Sequence, residues 1–148
     1  MPVLPTSTPW TIGLWGRPES NAAKVASHLA SRLQLPVVDY FSQPDAVTPA
    51  SLLLVTPNMG DGEIPEPVEW FVRDRCATLT RFGVVEIGNF YGFDDWGFGA
   101  GDRIRKVLAG RGLEEGIRPL SLDTLPQIDW DTLERWCTES AHEDIGRG

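Results

Sequence analysis

Two glycine-rich segments hold the residues of this chain that are best suited to bind a ligand. The first, residues 56–62, follows an apolar run at residues 51–55. The second, residues 88–99, follows an apolar run at residues 83–87 and is rich in aromatic side chains. In an open α/β sheet, ligands bind in the crevice outside the carboxyl ends of the strands. Two such loops side by side therefore predict a site that clamps a flat ring.

The pattern of apolar residues predicts that strands and helices alternate along the chain. Residues 20–33 carry the i, i+3, i+4, i+7 stripe of a helix with one buried face, and residues 52–55 are typical of a strand covered on both faces. Alternating units of this kind imply an α/β fold, with a parallel sheet and helices on both faces. The predicted strands are residues 10–15, 36–41, 52–55, 82–87 and 117–122, and the predicted helices are residues 20–33, 67–79, 101–108 and 129–136.

The chain of 148 residues is predicted to form one domain between two short ends. Residues 1–9 form a proline-rich leader, residues 10–138 the domain, and residues 139–148 a polar tail that we expect to fray. The segment at residues 41–52 is short for a crossover helix, so we expect a turn or a few helical residues there.

Composition and charge exclude several classes of partner. The formal net charge of −8 disfavours nucleic acid, whose phosphates need a basic face. No apolar stretch approaches the roughly 20 residues of a membrane span, and the N-terminus resembles no export signal. We therefore expect a cytoplasmic protein, and an acidic domain of this size needs no partner subunit to bury its core, which favours a monomer.

The residues most often used in catalysis are isolated from one another in this sequence. Cys76 and Cys137 do not have the sequence spacing of a metal site. His28 and His142 have no carboxylate or nucleophile at a sequence spacing that would indicate a catalytic pair. We therefore assign neither a catalytic residue nor a metal ligand, and a hydrolase is the least favoured class.

The order of the predicted elements, together with residues 57–62 and the spacing within residues 88–102, resembles the flavodoxins, specifically the short-chain type. The similarity covers about residues 11–136. It implies a flavodoxin-like three-layer sandwich around a five-stranded parallel sheet of order 2-1-3-4-5. It also implies an electron carrier, not an enzyme, that holds FMN without a covalent bond and shuttles single electrons at low potential.

The resemblance assigns three loops to FMN. The residues assigned in this way are Gly16, Arg17, Pro18, Glu19, Ser20 and Asn21 in the first loop, Thr56, Pro57, Asn58, Met59, Gly60 and Asp61 in the second, and Gly88, Asn89, Tyr91, Phe93, Asp95, Trp96, Gly97 and Phe98 in the third.

The first of these loops departs from the hydroxyl-rich phosphate loop that flavodoxins usually have. Ser20 offers one hydroxyl, Asn21 an amide, and Arg17 a guanidinium that could pair with a phosphate. Pro18 removes one N–H donor, and Glu19 would repel a dianion unless it points away. An ordinary helix cap at Ser20 or Glu19 is the alternative interpretation.

The other two loops are expected to cover the two faces of the flavin ring. Met59 stands where many flavodoxins have a tryptophan, and the resemblance makes Met59-Gly60 the peptide that hydrogen-bonds the ring. Counting along the third loop puts Asp94 at the family's usual stacking position. The neighbouring aromatic residues Tyr91, Phe93 and Trp96 are the alternatives, with Trp96 the first choice and Tyr91 the second. Two interpretations without a flavin remain open. The Met59-Gly60 loop could be a plain turn between a strand and a helix, and the aromatic residues of the third loop could merely fill the interior of that loop.

Acidic residues near the predicted site favour docking of basic redox partners, namely a reductase that donates electrons and an enzyme that accepts them. Two other functions stay open. The chain is also similar to the flavodoxin-like activators of manganese ribonucleotide reductase, and it could be a flavodoxin-like binding module that has lost FMN. The acidic residues in question are Asp61, Glu63, Glu66, Glu69, Asp94 and Asp95.

Overall fold

The protein is described here from a computed structural model that covers residues 9–57, 64–75, 77–88, 99–124 and 127–146. Strands and helices alternate along these ranges, as the sequence predicts. The strands are β1 (Trp10–Leu14), β2 (Val37–Asp39), β3 (Ser51–Pro57), β4 (Arg81–Gly88), β5 (Glu114–Glu115) and β6 (Leu120–Asp123). The helices are α1 (Asn21–Leu33), α2 (Glu66–Asp74), α3 (Ala100–Gly110), α4 (Trp130–Trp136), a π-helical turn (Cys137–Ala141) and α5 (His142–Gly146).

All pairings in the sheet are parallel, and the order β2-β1-β3-β4 agrees with the predicted order. The edge beyond β4 differs from the prediction of one strand at residues 117–122. There, β5 pairs with the start of β4 and β6 with its end. Between them, the N–H of Arg118 donates to the Asp144 carboxylate instead of to β4, at 2.8 Å, and Pro119 has no N–H to donate. The edge strand is therefore split in two.

Two apolar cores lie on the two faces of the sheet, which confirms the three-layer arrangement. Successive side chains of a strand point to opposite faces. Leu53 and Val55 accordingly pack in the core beneath α1 and α4, whereas Leu52 and Leu54 pack in the core beneath α2 and α3.

The connection between β2 and β3 contains turns and no helix, which is the first of the two expected alternatives. Tyr40 anchors its start, because its buried ring stacks on Trp15 at a centroid distance of 5.2 Å. Arg75, just after α2, holds its middle by donating to the carbonyl oxygens of Pro44 and Ala46 at 2.7 and 3.0 Å. These contacts replace the crossover helix that the short segment cannot form.

The expectation that the chain frays beyond residue 139 is wrong as far as Gly146. Helical structure continues through the π-helical turn and α5. The cause is a carboxylate contact: Asp144 is only 8% exposed and accepts from both the backbone and the guanidinium of Arg118. The division into leader, domain and tail otherwise stays a prediction. Among the helices of the described ranges, none combines the length and the apolar character needed to cross a bilayer.

Candidate functional site

A cavity of about 180 Å³ lies at the carboxyl ends of the strands, where the crevice of an open α/β sheet is expected. Four elements meet there: the segment after β1 with the first turn of α1, and the ends of β3, β4 and β6. The lining residues are Trp15, Ser20, Asn21, Ala22, Pro57, Ile87, Gly88 and Thr124.

The first turn of α1 forms one wall of this cavity and is capped by its own N-cap residue. The Ser20 hydroxyl accepts from the N–H of Ala23 at 3.1 Å and donates to the carbonyl oxygen of Arg17 at 2.7 Å. The N–H groups of Asn21 and Ala22 have no hydrogen-bond partner among the described residues. Because both residues line the cavity, this wall presents two unused donors at the positive end of a helix dipole.

The loop between β1 and α1 is fixed at both of its ends. The N–H of Gly16 donates to the Asp39 carboxylate at 3.4 Å, and the N–H of Ser20 closes a turn onto the carbonyl oxygen of Arg17 at 2.9 Å. A side chain at position 16 would not fit, since a Cβ there would lie 2.6 Å from the Ser20 hydroxyl oxygen.

Three predicted residues of this loop are exposed, namely Arg17, Pro18 and Glu19. Arg17 and Glu19 make no ion pair within the part of the chain that the structure describes. Arg17 is not among the residues that line the cavity, but its exposed guanidinium lies four residues before Asn21 along the chain and is available to an anion.

The floor of the cavity is apolar. Trp15 is 8% exposed and packs edge-on against Phe71 at a centroid distance of 5.1 Å, which fixes its ring. Pro57 and Ile87 are opposite each other in the register of β3 and β4. Thr56, which the sequence also assigned to this site, is fully buried, does not line the cavity, and donates its hydroxyl to the carbonyl oxygen of Pro57 at 3.0 Å.

A carboxylate that the sequence reasoning missed lies beneath the wall formed by β4 and β6. Glu86 is 5% exposed within an otherwise apolar strand. Its two oxygens accept from the N–H of Gly101, in the first turn of α3, at 2.9 Å and from the hydroxyl of Ser121, in β6, at 2.8 Å. The sequence could have predicted this carboxylate, because a charged residue inside a strand that is buried on both faces requires hydrogen-bond or charged partners.

The groups considered for catalysis lie apart from the cavity, as far as the structure describes them. His28 pairs with Glu134 at 3.3 Å and lies 5.1 Å from the ring of Trp130, on the outer side of α1 and α4. Cys137 is buried, and burial raises the pKa of its thiol to about 11, which keeps it protonated. Cys76 lies outside the described residues.

The structure brings four of the predicted site residues together around one cavity: Ser20, Asn21, Pro57 and Gly88. Eleven others lie outside the described residues, and their place in the site stays a prediction. These are Asn58, Met59, Gly60, Asp61, Asn89, Tyr91, Phe93, Asp95, Trp96, Gly97 and Phe98.

Several solved structures with a similar arrangement of strands and helices are flavodoxins. Flavodoxin 1 from Bacillus cereus superposes with a TM-score of 0.71 at 15% identity, covering 93% of this chain and 97% of that one. The fold is that of the flavodoxins. A short-chain flavodoxin associated with a PDU bacterial microcompartment gives a TM-score of 0.66 at 16% identity, covering 95% and 97% of the two chains.

A third match is Fusobacterium nucleatum flavodoxin bound to flavin mononucleotide, with a TM-score of 0.67 at 15% identity and coverage of 95% and 96%. No model of a known protein family matches the sequence, and no curated protein matches it. The likeness to short-chain flavodoxins therefore lies in the fold and spans nearly the whole chain.

Proposed function

We propose that this protein binds FMN in the cavity at the carboxyl ends of its strands and acts as a carrier of single electrons. The observation that supports this most directly is the position of the cavity. It lies between the first turn of α1 and the ends of β3 and β4, in the fold shared with a flavodoxin that binds this cofactor.

The described residues fit the phosphate end of FMN. A phosphate binds well where free N–H groups of a helix N-terminus point at it. Asn21 and Ala22 supply two such groups, and Arg17 supplies a guanidinium that can pair with two phosphate oxygens. These three groups would hold the phosphate and so orient the rest of the molecule.

The apolar floor fits a ring that must be kept out of water. Trp15, Pro57 and Ile87 present carbon atoms to the cavity. At about 180 Å³, this cavity is smaller than the roughly 300–1,000 Å³ of a typical cofactor pocket. The sequence predicts that residues 58–63 and 89–98 complete the site over the ring.

When bound, FMN supplies the one-electron chemistry, and the chain supplies binding, orientation and local charge. Glu66 and Glu69 are acidic groups in the first turn of α2. Together with the acidic residues of the two predicted loops, they suit a basic protein partner that docks over the exposed edge of the cofactor.

Titration of the purified chain with FMN, followed by absorbance and by flavin fluorescence, tests this function. We expect uptake of one FMN per chain at micromolar concentration with quenched fluorescence. The loaded protein should then pass electrons from a flavin reductase to a one-electron acceptor such as cytochrome c. Absence of uptake at micromolar FMN would contradict the proposal.

One observation supports a second candidate, a binding module without flavin. The only hydroxyl of the loop, on Ser20, is already used by Arg17 in the loop and by Ala23 in α1, so the cavity receives fewer donors than a hydroxyl-rich loop would give. A chain that takes up no flavin would favour this candidate. Activation of a manganese ribonucleotide reductase also stays open, and electron transfer to such an enzyme's metal subunit would test it.

A further inference from the structure

The buried carboxylate of Glu86 joins three elements directly beneath one wall of the cavity. It lies in β4, two residues before Gly88, and its partner Ser121 lies in β6, three residues before Thr124. Gly88 and Thr124 both line the cavity and are joined by a hydrogen bond, from the N–H of Thr124 to the carbonyl oxygen of Gly88 at 2.8 Å. The contact between Glu86 and Ser121 therefore ties together the two strands that form this wall.

The second oxygen of Glu86 fixes the start of α3. That helix begins after Gly99, which has no side chain to cap it, so its first N–H groups need an acceptor from elsewhere. Glu86 supplies one by accepting from Gly101 at 2.9 Å. Because Glu86 and Gly101 each lie two residues outside the segment between Gly88 and Gly99, this bond also sets the distance between the ends of that segment.

The carboxylate of Glu86 packs so closely against α3 that there is no room for a side chain at position 101. A Cβ on Gly101 would lie 2.9 Å from the carboxyl carbon of Glu86 and 3.1 and 3.3 Å from its two oxygens. A buried carboxylate with no cationic partner in the described contacts is costly, and it persists where dipoles and hydrogen bonds compensate it. The positive end of the α3 dipole and two donors meet that requirement here.

We propose that Glu86 is a positioning residue of the flavin site, which acts through the wall of Gly88 and Thr124 and through the first turn of α3. The inference rests on the proposed function, because its effect on ligand binding requires that the wild-type chain take up flavin. Glu86 lies outside the three predicted loops, and in this proposal it holds Gly88 and the start of α3 at a fixed distance from each other.

Three variants separate the contacts of this carboxylate. Glu86→Met keeps about the same volume and removes both acceptor oxygens. Glu86→Gln keeps an acceptor for Gly101 and can donate to the hydroxyl oxygen of Ser121, so it serves as the conservative control. Ser121→Ala removes only the contact with β6 and leaves the contact with α3 intact.

Amide hydrogen exchange measures the positioning without any ligand. In Glu86→Met we expect exchange at Gly101, which loses its acceptor, to be about tenfold faster or more. Exchange at Thr124 should also be faster, because its hydrogen bond to Gly88 lies in the wall that the contact between Glu86 and Ser121 holds together. Leu29, in the middle of α1, reports on global opening and should change much less. Glu86→Gln should stay within about threefold of wild type at all three amides, and Ser121→Ala should affect Thr124 more than Gly101.

Flavin affinity measures the consequence. We expect Glu86→Met to weaken FMN and riboflavin by the same factor, about tenfold, because Gly88 begins the loop that is predicted to cover the ring, whereas the phosphate is proposed to bind at α1. Glu86→Gln should restore affinity to within about threefold of wild type. If Glu86→Met bound flavin as tightly as wild type, the positioning role would be overturned while the proposed function stood.

Two further outcomes have distinct meanings. If Gly101, Thr124 and Leu29 all exchanged faster by one common factor in Glu86→Met, the residue would serve global stability alone and the proposal would be wrong. If the wild-type chain took up neither FMN nor riboflavin, the proposed function would fail and the role in flavin binding would fail with it.

Discussion

The first turns of α1 and α3 face the same edge of the sheet, yet their N–H groups are satisfied in opposite ways. In α1, the N-cap Ser20 accepts from Ala23 with its own side chain, a contact between residues three apart. In α3, the N-cap Gly99 has no side chain, and the carboxylate of Glu86 arrives from the neighbouring strand to accept from Gly101.

This difference bears on where a negatively charged group of a ligand can bind. The cap of α1 leaves the N–H groups of Asn21 and Ala22, two residues that line the cavity, without a hydrogen-bond partner among the described residues. The positive end of α3 already has a protein carboxylate against it, which would repel a phosphate. Of the two helix N-termini, α1 is therefore the one suited to the phosphate of FMN.

The largest effect we predict comes from closing the gap between α3 and the carboxylate. Gly101→Ala places a Cβ within 2.9 Å of the Glu86 carboxyl carbon and should lower the free energy of unfolding by about 1–3 kcal/mol. The matched control is Gly110→Ala at the other end of the same helix, where a Cβ meets nothing within 4 Å. It should raise stability by up to about 1 kcal/mol. Urea denaturation measures both, and equal effects would contradict the tight fit at α3.

The next prediction concerns the helix that is expected to bind the phosphate. Arg17→Ala should weaken FMN by about tenfold and leave riboflavin, which lacks the phosphate, unchanged. Lys106→Ala serves as the control. It also removes one positive charge, but from an exposed residue of α3 and not from the loop before α1. Calorimetric titration of both variants with both ligands gives the comparison, and equal losses for FMN and riboflavin would place the phosphate elsewhere.

A smaller change is expected from the cap of α1 itself. Ser20→Ala removes the acceptor of the Ala23 N–H and should cost about 1 kcal/mol of unfolding free energy. Asp129→Ala removes the cap of α4, where the carboxylate accepts from the N–H of Thr132 at 3.1 Å, and should cost a similar amount. A loss at Ser20 several times that at Asp129 would show that its hydroxyl does more than cap a helix.

The smallest effect we predict is the pH dependence of the cap of α4. Hydrogen bonds from the Thr132 side chain and backbone lower the pKa of Asp129 below its ordinary value of 3.8. A lowered pKa means that the unfolded chain binds the proton more tightly. The stabilisation is therefore complete above about pH 4 and is lost as the pH falls through the folded-state pKa.

Asp129→Asn supplies the control for that measurement, because asparagine also caps helices but does not titrate. Thermal unfolding between pH 6 and pH 2 should show wild type losing a few tenths of a kcal/mol relative to this variant in the acid range. Parallel curves for the two proteins would mean that the cap does not depend on the charge of Asp129.

The two helix N-termini also show what the sequence could predict. The cap at Ser20 is local, and the helix beginning there was predicted within one residue. The contact of Glu86 with Gly101 spans 15 residues and that with Ser121 spans 35, and no local pattern contains such pairs. The split edge strand and the ordered tail were missed for the same reason, since both depend on Arg118 and Asp144, which are 26 residues apart.

The most direct test of a phosphate at α1 is a titration of the isotope-labelled chain with FMN, followed by the backbone amide signals of Asn21, Ala22 and Gly101. We predict saturable shifts of Asn21 and Ala22 at one FMN per chain that are much smaller with riboflavin, while Gly101 keeps its contact with Glu86 and responds alike to both ligands. Binding of FMN without a phosphate-dependent shift at Asn21 and Ala22 would contradict this site, and no binding at all would contradict the proposed function.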